Sequence, residues 1–132
     1  LFRDFFRGVG IIPNRPGLAG QQAIDNVMAQ FKSQDTLNLG PSSFTTEVHI
    51  ARQFADGSVS LDAHRIPVIF ETTAPVKGFK IHNLVSERYI YAEREVISMG
   101  QFKINNVRSK YDPDLDMAVV HVGISQIAIF GE

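Results

Sequence analysis

Three short stretches of the sequence carry side chains that could bind and activate a substrate. Arg3 lies in an aromatic segment, hydroxyl side chains cluster at residues 43–46, and Glu93 and Glu95 stand two residues apart. A guanidinium presents a fixed fork of donors that suits phosphate or carboxylate oxygens, and hydroxyl groups can line a pocket and orient a carboxylate. Carboxylates can accept a proton or stabilise growing positive charge. We therefore treat the three stretches as candidate parts of one site.

The two glutamates make the most specific pattern of the three. The segment 93–97 favours a strand, and residues two apart in a strand project from the same face of the sheet. Glu93 and Glu95 would then stand side by side, and repulsion between like charges should raise the pKa of one of them. The ordinary alternative is a pair of solvated glutamates on an exposed strand face.

The other two stretches also have ordinary structural interpretations. Arg3 could be a strand-edge arginine with its head in water, and residues 43–46 could begin an amphipathic helix with Thr45 or Thr46 as its cap. Arg7, in the same aromatic segment as Arg3, competes with it for the role of phosphate-binding arginine. The functional interpretation therefore depends on the three stretches acting together.

The surrounding pattern predicts the elements that must position these residues. Apolar residues recur with a helical period over 21–32, and a second helix should follow residue 46 and end near Asp56-Gly57. Strands are predicted over 1–7, 68–70, 93–97, 101–107, 117–122 and 127–130. Loops or turns are predicted over 8–20, 35–41 and 112–116, with a hairpin turning at Met99-Gly100. Helices early and strands late indicate an α+β fold.

Composition excludes several classes of protein. The chain has 132 residues, which fits a single domain over 1–132, and 44% of them are hydrophobic and 20% charged. The absence of cysteine rules out disulfides, thiolate zinc ligands and thiol nucleophiles. A formal net charge of -1 gives no global basic field for nucleic acid. No segment is apolar enough to span a membrane, and the four histidines lack metal-ligand spacing, so we expect neither membrane insertion nor a metal site.

Taken in order along the chain, the three stretches resemble the arginine–serine–glutamate class of mono-ADP-ribosyltransferases, the cholera-toxin-like group. In that class an arginine on an early strand is followed by a serine- and threonine-rich segment with a short helix, and later by a Glu-X-Glu pair. The similarity is greatest to the C-terminal domains of bacterial polymorphic toxins. The middle segment has Phe44 where the strict pattern has a threonine, and Asp4 follows Arg3 where a small residue is commoner.

The resemblance implies a fold, a substrate and a role for each residue. The fold would be α+β, with two small, roughly perpendicular antiparallel or mixed sheets, helices around them and an NAD⁺ cleft between. Glu95 would be the catalytic carboxylate and Glu93 would face the acceptor. The residues expected to bind NAD⁺ or line its pocket are Arg3, Ser43, Thr45, Thr46 and Phe54. NAD⁺ would be the substrate, and the chemistry requires no metal.

The resemblance also implies a setting and leaves the acceptor open. Because the chain starts without methionine, we expect a fragment of a larger protein, secreted or delivered into a target cell, acting in its cytoplasm and paired with an immunity protein. A glutamate at position 93 favours a protein arginine as acceptor. Glutamine, threonine, asparagine or RNA as acceptor, hydrolysis of NAD⁺, and a binding module without catalysis remain the alternatives.

Overall fold

The part of the chain that the computed structural model describes forms two helices and six strands. That part comprises residues 5–61, 64–72, 79–80 and 95–128, with the backbone alone at residues 41, 58–61, 79–80 and 95–96. In chain order the elements are β1 (Phe6–Ile11), α1 (Gly20–Lys32), β2 (Thr36–Thr45), α2 (Val48–Leu61), β3 (Ile66–Thr72), β4 (Phe79–Lys80), β5 (Glu95–Asp112) and β6 (Met117–Ala128). Neither described helix is long and apolar enough to cross a membrane.

The six strands form a mixed sheet in the order β2-β1-β3-β6-β5-β4, in which β2 also pairs with β5. Only β3 and β6 run parallel; the other neighbours are antiparallel. The mixed sheet and the two helices confirm the predicted α+β class. The described strands form one hydrogen-bonded sheet because β5 is long enough to pair with β2 over its first half and with β6 over its second. The expected division into two sheets is therefore not seen among them.

Each helix covers a different apolar face of the sheet. On the side of α1, Val27 and Phe31 pack into the larger core, where the Phe31 and Phe70 rings meet edge to face with centroids 5.6 Å apart. On the side of α2, Ala51 packs against Ile69 and Val119. Aromatic pairs of this kind add about 0.5–1.5 kcal/mol beyond the area that they bury. The sheet is therefore buried on both faces over its centre.

Helix α1 matches the prediction over 21–32, whereas α2 is longer than predicted. The chain stays helical past Asp56-Gly57 to Leu61. A glycine inside a helix costs only about 1 kcal/mol relative to alanine, and the packing of Ala51 and Ala55, both fully buried, outweighs that cost. The side chain of Arg52 also ties α2 to the turn between β5 and β6, with its Nε 2.6 Å from Asp112 Oδ2.

Two predicted turns are wrong, for related reasons. Residues 36–41 form the first part of β2, because Leu37 and Leu39 alternate toward the core, and the Gly40-Pro41 pair falls at an irregularity in the pairing with β5. Bulges of this kind tolerate proline within a sheet. Met99-Gly100 does not turn a hairpin either. Gly100 has φ 124 inside the continuous strand β5, a value that glycine adopts without steric cost.

The last hairpin turns at the acidic segment 113–116, as predicted, and the two strands expected after it form the single strand β6. The hairpin joins β5 to β6 with pairing that runs from Asp112 opposite Met117 back to Gln101 opposite Ala128. Asp116 takes φ 50 in the turn, a conformation that aspartate tolerates better than most residues. The hairpin holds the second half of β5 in the sheet, which fixes the first half against β2.

Strand β1 continues through residues 8–11, which the sequence predicts as loop. Its glycine at position 8 allows helix α2 to lie directly on the strand, since a Cβ there would be 1.7 Å from the carbonyl oxygen of Ala51. We therefore expect Gly8→Ala to lower the free energy of unfolding by about 1–3 kcal/mol, the usual range for overpacking. Urea denaturation measures this change.

Gly57→Ala provides the matched control for this prediction. It is a glycine of α2 with no atom within 4 Å of an added Cβ, so alanine should raise the free energy of unfolding by about 0.5–1 kcal/mol. A Gly8→Ala variant as stable as the wild type would contradict the close packing of α2 on β1.

Candidate active site between strands β1 and β2

A hollow of about 440 Å³ opens between β1 and β2 beside helix α2. This volume lies in the range of about 300–1,000 Å³ that is typical of sites for small molecules and cofactors. Four residues predicted from the sequence line it, namely Arg7, Ser43, Thr45 and Phe54, and Arg65 lines it with them. The hollow is therefore the candidate site.

The hollow exists because β1 and β2 separate after a single point of pairing. Phe6 opposite Thr45 is the one register pair between the two strands, after which β2 turns away to pair with β5. The other edge of β1 is fully paired with β3 from Phe6 to Ile11. One edge of β1 beyond Phe6 therefore faces the hollow.

Strand geometry directs two backbone amides of β1 toward this open edge. Thr72 N donates to Phe5 O at 2.9 Å, so the hydrogen bonds to β3 fall on odd-numbered residues of β1, and the backbone groups of Gly8 and Gly10 point the other way. Pro67, which has no N–H to offer, stands opposite Gly10. The open edge thus offers backbone donors without any side chain to block them.

Arg7 places a positive charge at the mouth of this gap. It is half-buried, and its Nη1 donates to the backbone oxygen of Ser43 at 3.2 Å. Burial lowers the pKa of Arg7, but arginine remains protonated in proteins. Within the part of the chain that the structure describes, no carboxylate forms an ion pair with Arg7. A partly desolvated cation without a counter-ion is suited to binding an anionic group.

Ser43 and Thr45 alternate with core residues along β2. Phe44 is 1% exposed and stacks on Phe102 in the larger core, so its two neighbours lie on the opposite face of the strand. Thr45 Oγ1 accepts a hydrogen bond from Glu47 N at 3.1 Å, just before α2 begins. Of the two predicted caps, Thr45 is therefore the one whose hydroxyl holds the backbone at the start of this helix.

The pairing of β2 with β5 brings the serine–threonine segment and the glutamate segment together. Thr45 stands opposite Glu95, and Ser43 stands opposite Ile97. Directly opposed residues of an antiparallel pair share one face of the sheet, with Cβ atoms about 4.5–5.5 Å apart. The backbone position of Glu95 is thus adjacent to that of Thr45.

The structure places some of the other predicted residues at the hollow and others away from it. Phe54 lines the hollow from α2 with 53% of its surface exposed. Thr46 is exposed in the bend after β2 and does not line the hollow. Arg3 and Glu93 lie outside the described residues. Arg65, just before β3, belongs to no motif in the sequence and joins the site only through the fold.

Glu71, on the strand beside β1, belongs to a separate cluster outside the hollow. Its Oε1 is 2.6 Å from Nδ1 of His121, and its Oε2 accepts a hydrogen bond from Arg108 at 2.8 Å. The hydrogen bond with His121, followed by that with Arg108, holds the pKa of Glu71 below its ordinary value. Among the described residues, no three histidine, aspartate or glutamate side chains are grouped so as to hold a metal ion.

The cluster predicts an acid-dependent loss of stability. The pKa of Glu71 is lower in the folded than in the unfolded state. Its carboxylate therefore stabilises the fold fully above the ordinary carboxyl pKa of about 4.3, and this stabilisation is lost as the pH falls through the pKa of the folded state. We expect Glu71→Gln to lower the free energy of unfolding by about 1–2 kcal/mol at pH 7 and by much less at pH 3. Urea titrations at both pH values test this, and an equal loss at both would contradict it.

Comparison with known proteins gives one structural similarity. No protein-family model matches the sequence, and no curated protein matches it. Among solved structures, the chain is similar to BECa, an ADP-ribosylating toxin of a binary enterotoxin of C. perfringens whose structure was determined with NADH. The TM-score is 0.48 at 17% sequence identity, over 94% of this chain and 31% of the toxin chain.

Proposed function

We propose that this domain is a mono-ADP-ribosyltransferase, which transfers ADP-ribose from NAD⁺ to a macromolecular acceptor. The observation that carries the proposal is that two of the three stretches line one hollow and the third pairs with the second in the sheet. Arg7, Ser43 and Thr45 line the hollow, and β5 enters the sheet with Glu95 opposite Thr45. A guanidinium can bind the diphosphate, and a glutamate on the strand beside a hydroxyl-bearing strand can stabilise the positive charge that grows when a dinucleotide is cleaved at its ribose.

In the proposed reaction the bond between nicotinamide and ribose C1′ breaks, and nicotinamide leaves with the electron pair. Positive charge grows on the ribose as an oxocarbenium ion, and the Glu95 carboxylate stabilises it and holds the 2′-hydroxyl. The nucleophile of the acceptor then bonds to C1′, and Glu93 accepts its proton. Because positive charge develops on the ribose in the transition state, its stabilisation by the Glu95 carboxylate would make the largest contribution to the rate.

The other residues of the site would position the substrate. Ser43 would hold the Glu95 carboxylate in one orientation, and Thr45 would contribute the adjoining part of the wall. Thr46, predicted from the resemblance as a further wall residue, is exposed outside the hollow, so its contribution would need a contact with the bound acceptor. Phe54, exposed beside the hollow, would cover the nicotinamide end.

The arginine that binds the diphosphate is proposed to be Arg7. Its guanidinium lines the hollow, is partly buried and bonds to the backbone of Ser43. Arg3, for which the sequence predicts the same role, is the alternative, and mutation of each arginine separates the two. The acceptor is proposed to be an arginine side chain of a protein, since the resemblance associates a glutamate at the position of Glu93 with arginine acceptors.

Incubating the domain with biotinylated NAD⁺ and a cell lysate tests the proposed activity. We expect labelled material that protease removes and RNase does not. Label that RNase removes would move the acceptor to RNA. Free ADP-ribose without any labelled macromolecule would indicate hydrolysis of NAD⁺ instead, and unchanged NAD⁺ would contradict the proposal.

Glu93→Gln tests the acceptor role separately from cleavage of NAD⁺. Glutamine keeps the shape of the side chain but is a poor base, so transfer to protein arginine should fall by about 100-fold or more, as for other losses of general-base catalysis. Release of nicotinamide to water should persist at a measurable rate. Equal loss of both reactions would contradict a role confined to the acceptor.

The biological setting that we propose is that of a toxin or effector domain acting in the cytoplasm of a target cell. An immunity protein in the producing cell would then block the hollow. Expression of the domain in a bacterial cytoplasm should arrest growth, and the Glu95→Gln variant should not.

A further inference from the structure

Strand β5 is irregular on both of its sides at nearly the same place. Its register with β2 shifts between Leu39 and Ser42, which lie opposite residues 98–100. Its register with β6 shifts between Gln101 and Phe102. Irregularities of this kind bend a strand and disrupt its pairing locally. The first residues of β5 therefore lie on one side of a bend, and the part paired with β6 lies on the other.

The first residues of β5 are joined to the centre of the sheet at few points. Residues 95–98 pair with β2, and two of them also pair with the short strand β4. Among the described residues, pairing with β6 begins only at Gln101. Strand β2 in turn meets β1 at a single register pair, Phe6 opposite Thr45. The position of these residues relative to the rest of the sheet therefore depends on the contacts made at the bend.

One side chain of β6 spans this bend. Gln126 is half-buried, and its Nε2 donates to Ser98 Oγ at 3.2 Å and to the backbone oxygen of Met99 at 3.0 Å. Because Ser98 is only 2% exposed, loss of its donor would leave a buried hydroxyl short of a partner, which costs more than the same loss in water. Gln126 thus fastens β6 to β5 ahead of the point at which the two backbones begin to pair.

The bend lies close enough to Glu95 to control where that residue stands. Glu95 is three residues from Ser98, roughly 10 Å at about 3.3 Å per residue. A rotation of the strand by about 6° at the bend would therefore move the backbone of Glu95 by about 1 Å. A displacement of about 1 Å at a reacting centre can lower a rate by about 100-fold.

From this arrangement we infer that Gln126 is a positioning residue for Glu95. Its two hydrogen bonds fix the bend of β5 and so set where the backbone of Glu95 stands beside Thr45. Gln126 does not line the hollow, so it acts on the reaction only through β5. This inference rests on the proposed function, because it assumes that Glu95 stabilises the transition state.

Steady-state kinetics of nicotinamide release from NAD⁺ test the inference. Gln126→Glu keeps the size of the side chain but removes the N–H donor to both acceptors. Asn105→Asp is the matched control, because the Asn105 amide also joins β5 to β6, by a hydrogen bond to Ser125 Oγ at 3.1 Å, but on the far side of the bend from Glu95. Each variant is made in the wild-type and in the Glu95→Gln background and is checked by thermal unfolding.

We expect Gln126→Glu to lower kcat by about 10- to 100-fold, as a displaced catalytic group would, and to leave the KM for NAD⁺ within about threefold of the wild-type value. Asn105→Asp should keep kcat within about twofold. In the Glu95→Gln background, Gln126→Glu should lower the residual rate by less than about twofold, because the carboxylate that it positions is already absent. A general loss of folded protein would instead lower the rate equally in both backgrounds.

The inference is overturned if Gln126→Glu keeps the wild-type kcat, or if it lowers the rate equally in both backgrounds. Ser98→Ala removes one of the two acceptors and leaves Gln126 in place, so it provides the result if Gln126→Glu does not fold. It should lower kcat without raising KM, and an unchanged kcat would equally overturn the inference.

These failures are distinct from failure of the proposed function. Full activity of Gln126→Glu beside an inactive Glu95→Gln variant would remove the role of Gln126 and leave the proposed function intact. A wild-type domain that releases no nicotinamide from NAD⁺ would overturn both.

Discussion

Glu95→Gln is expected to lower the rate of ADP-ribose transfer by about 100- to 1,000-fold, the effect of removing one electrostatic stabiliser of a transition state. Glutamine matches glutamate in size but cannot offset the positive charge that grows on the ribose. The backbone of Glu95 stands opposite Thr45 of β2, which lines the hollow together with Ser43. Nicotinamide release from NAD⁺ and label transfer to protein should therefore fall together.

The control for this variant is a nearby carboxylate outside the hollow. Glu47 precedes α2, close to Thr45, and its carboxylate lies 3.7 Å from Nδ1 of His49. Glu47→Gln should leave both reactions within about twofold of the wild type, as expected for a surface change. A Glu95→Gln variant that kept more than half of the wild-type activity would show that another residue does the chemistry.

Arg7→Gln is expected to weaken NAD⁺ binding by about 10- to 100-fold, because a partly buried charged hydrogen bond contributes about 1.5–3 kcal/mol. Arg7→Lys should recover only part of this affinity, since an ammonium cannot present the planar fork of a guanidinium. Steady-state kinetics should report the loss mainly as a higher KM for NAD⁺.

Arg3→Gln provides the comparison that decides between the two arginines predicted from the sequence. If Arg7 binds the diphosphate, Arg3→Gln should keep the KM for NAD⁺ within about threefold of the wild-type value. A large rise in KM with Arg3→Gln and none with Arg7→Gln would reverse the assignment.

Periodicity was enough to predict the elements whose packing is local. Helix α1 presents Ala23, Val27 and Phe31 to the core at helical spacing, and a single buried face determines that spacing. The turn around Pro113 was likewise predictable from turn chemistry alone. The α+β class followed from the order of such elements along the chain.

Long-range packing decided the parts that the sequence did not predict. The glycines at positions 8 and 10 suggest a loop, yet β1 needs them because α2 lies on the strand at Gly8. Gly40-Pro41 suggests a turn, yet pairing with β5 keeps that segment in a strand. In each case a neighbour distant in sequence outweighs a local preference.

In the candidate site, too, some residues could be predicted from the local sequence and others depend on long-range packing. The serine–threonine segment was found from residue types, and its proximity to the glutamate strand depends on the pairing of Thr45 with Glu95. Arg65 carries no sequence signal, because a lone arginine before a strand is common and only the fold brings it to the hollow. The preference for Arg7 over Arg3 likewise depends on which side chain lines the gap between β1 and β2.

Titration of the ¹⁵N-labelled domain with NAD⁺, followed by amide chemical shifts, tests the central claim most directly. Binding in the gap between β1 and β2 predicts saturable shifts that are largest at Gly8, Gly10, Ser43 and Thr45, with little change at the cluster of Glu71 and His121. Shifts confined to other surfaces, or none at millimolar NAD⁺, would contradict the assignment of this hollow as the NAD⁺ site.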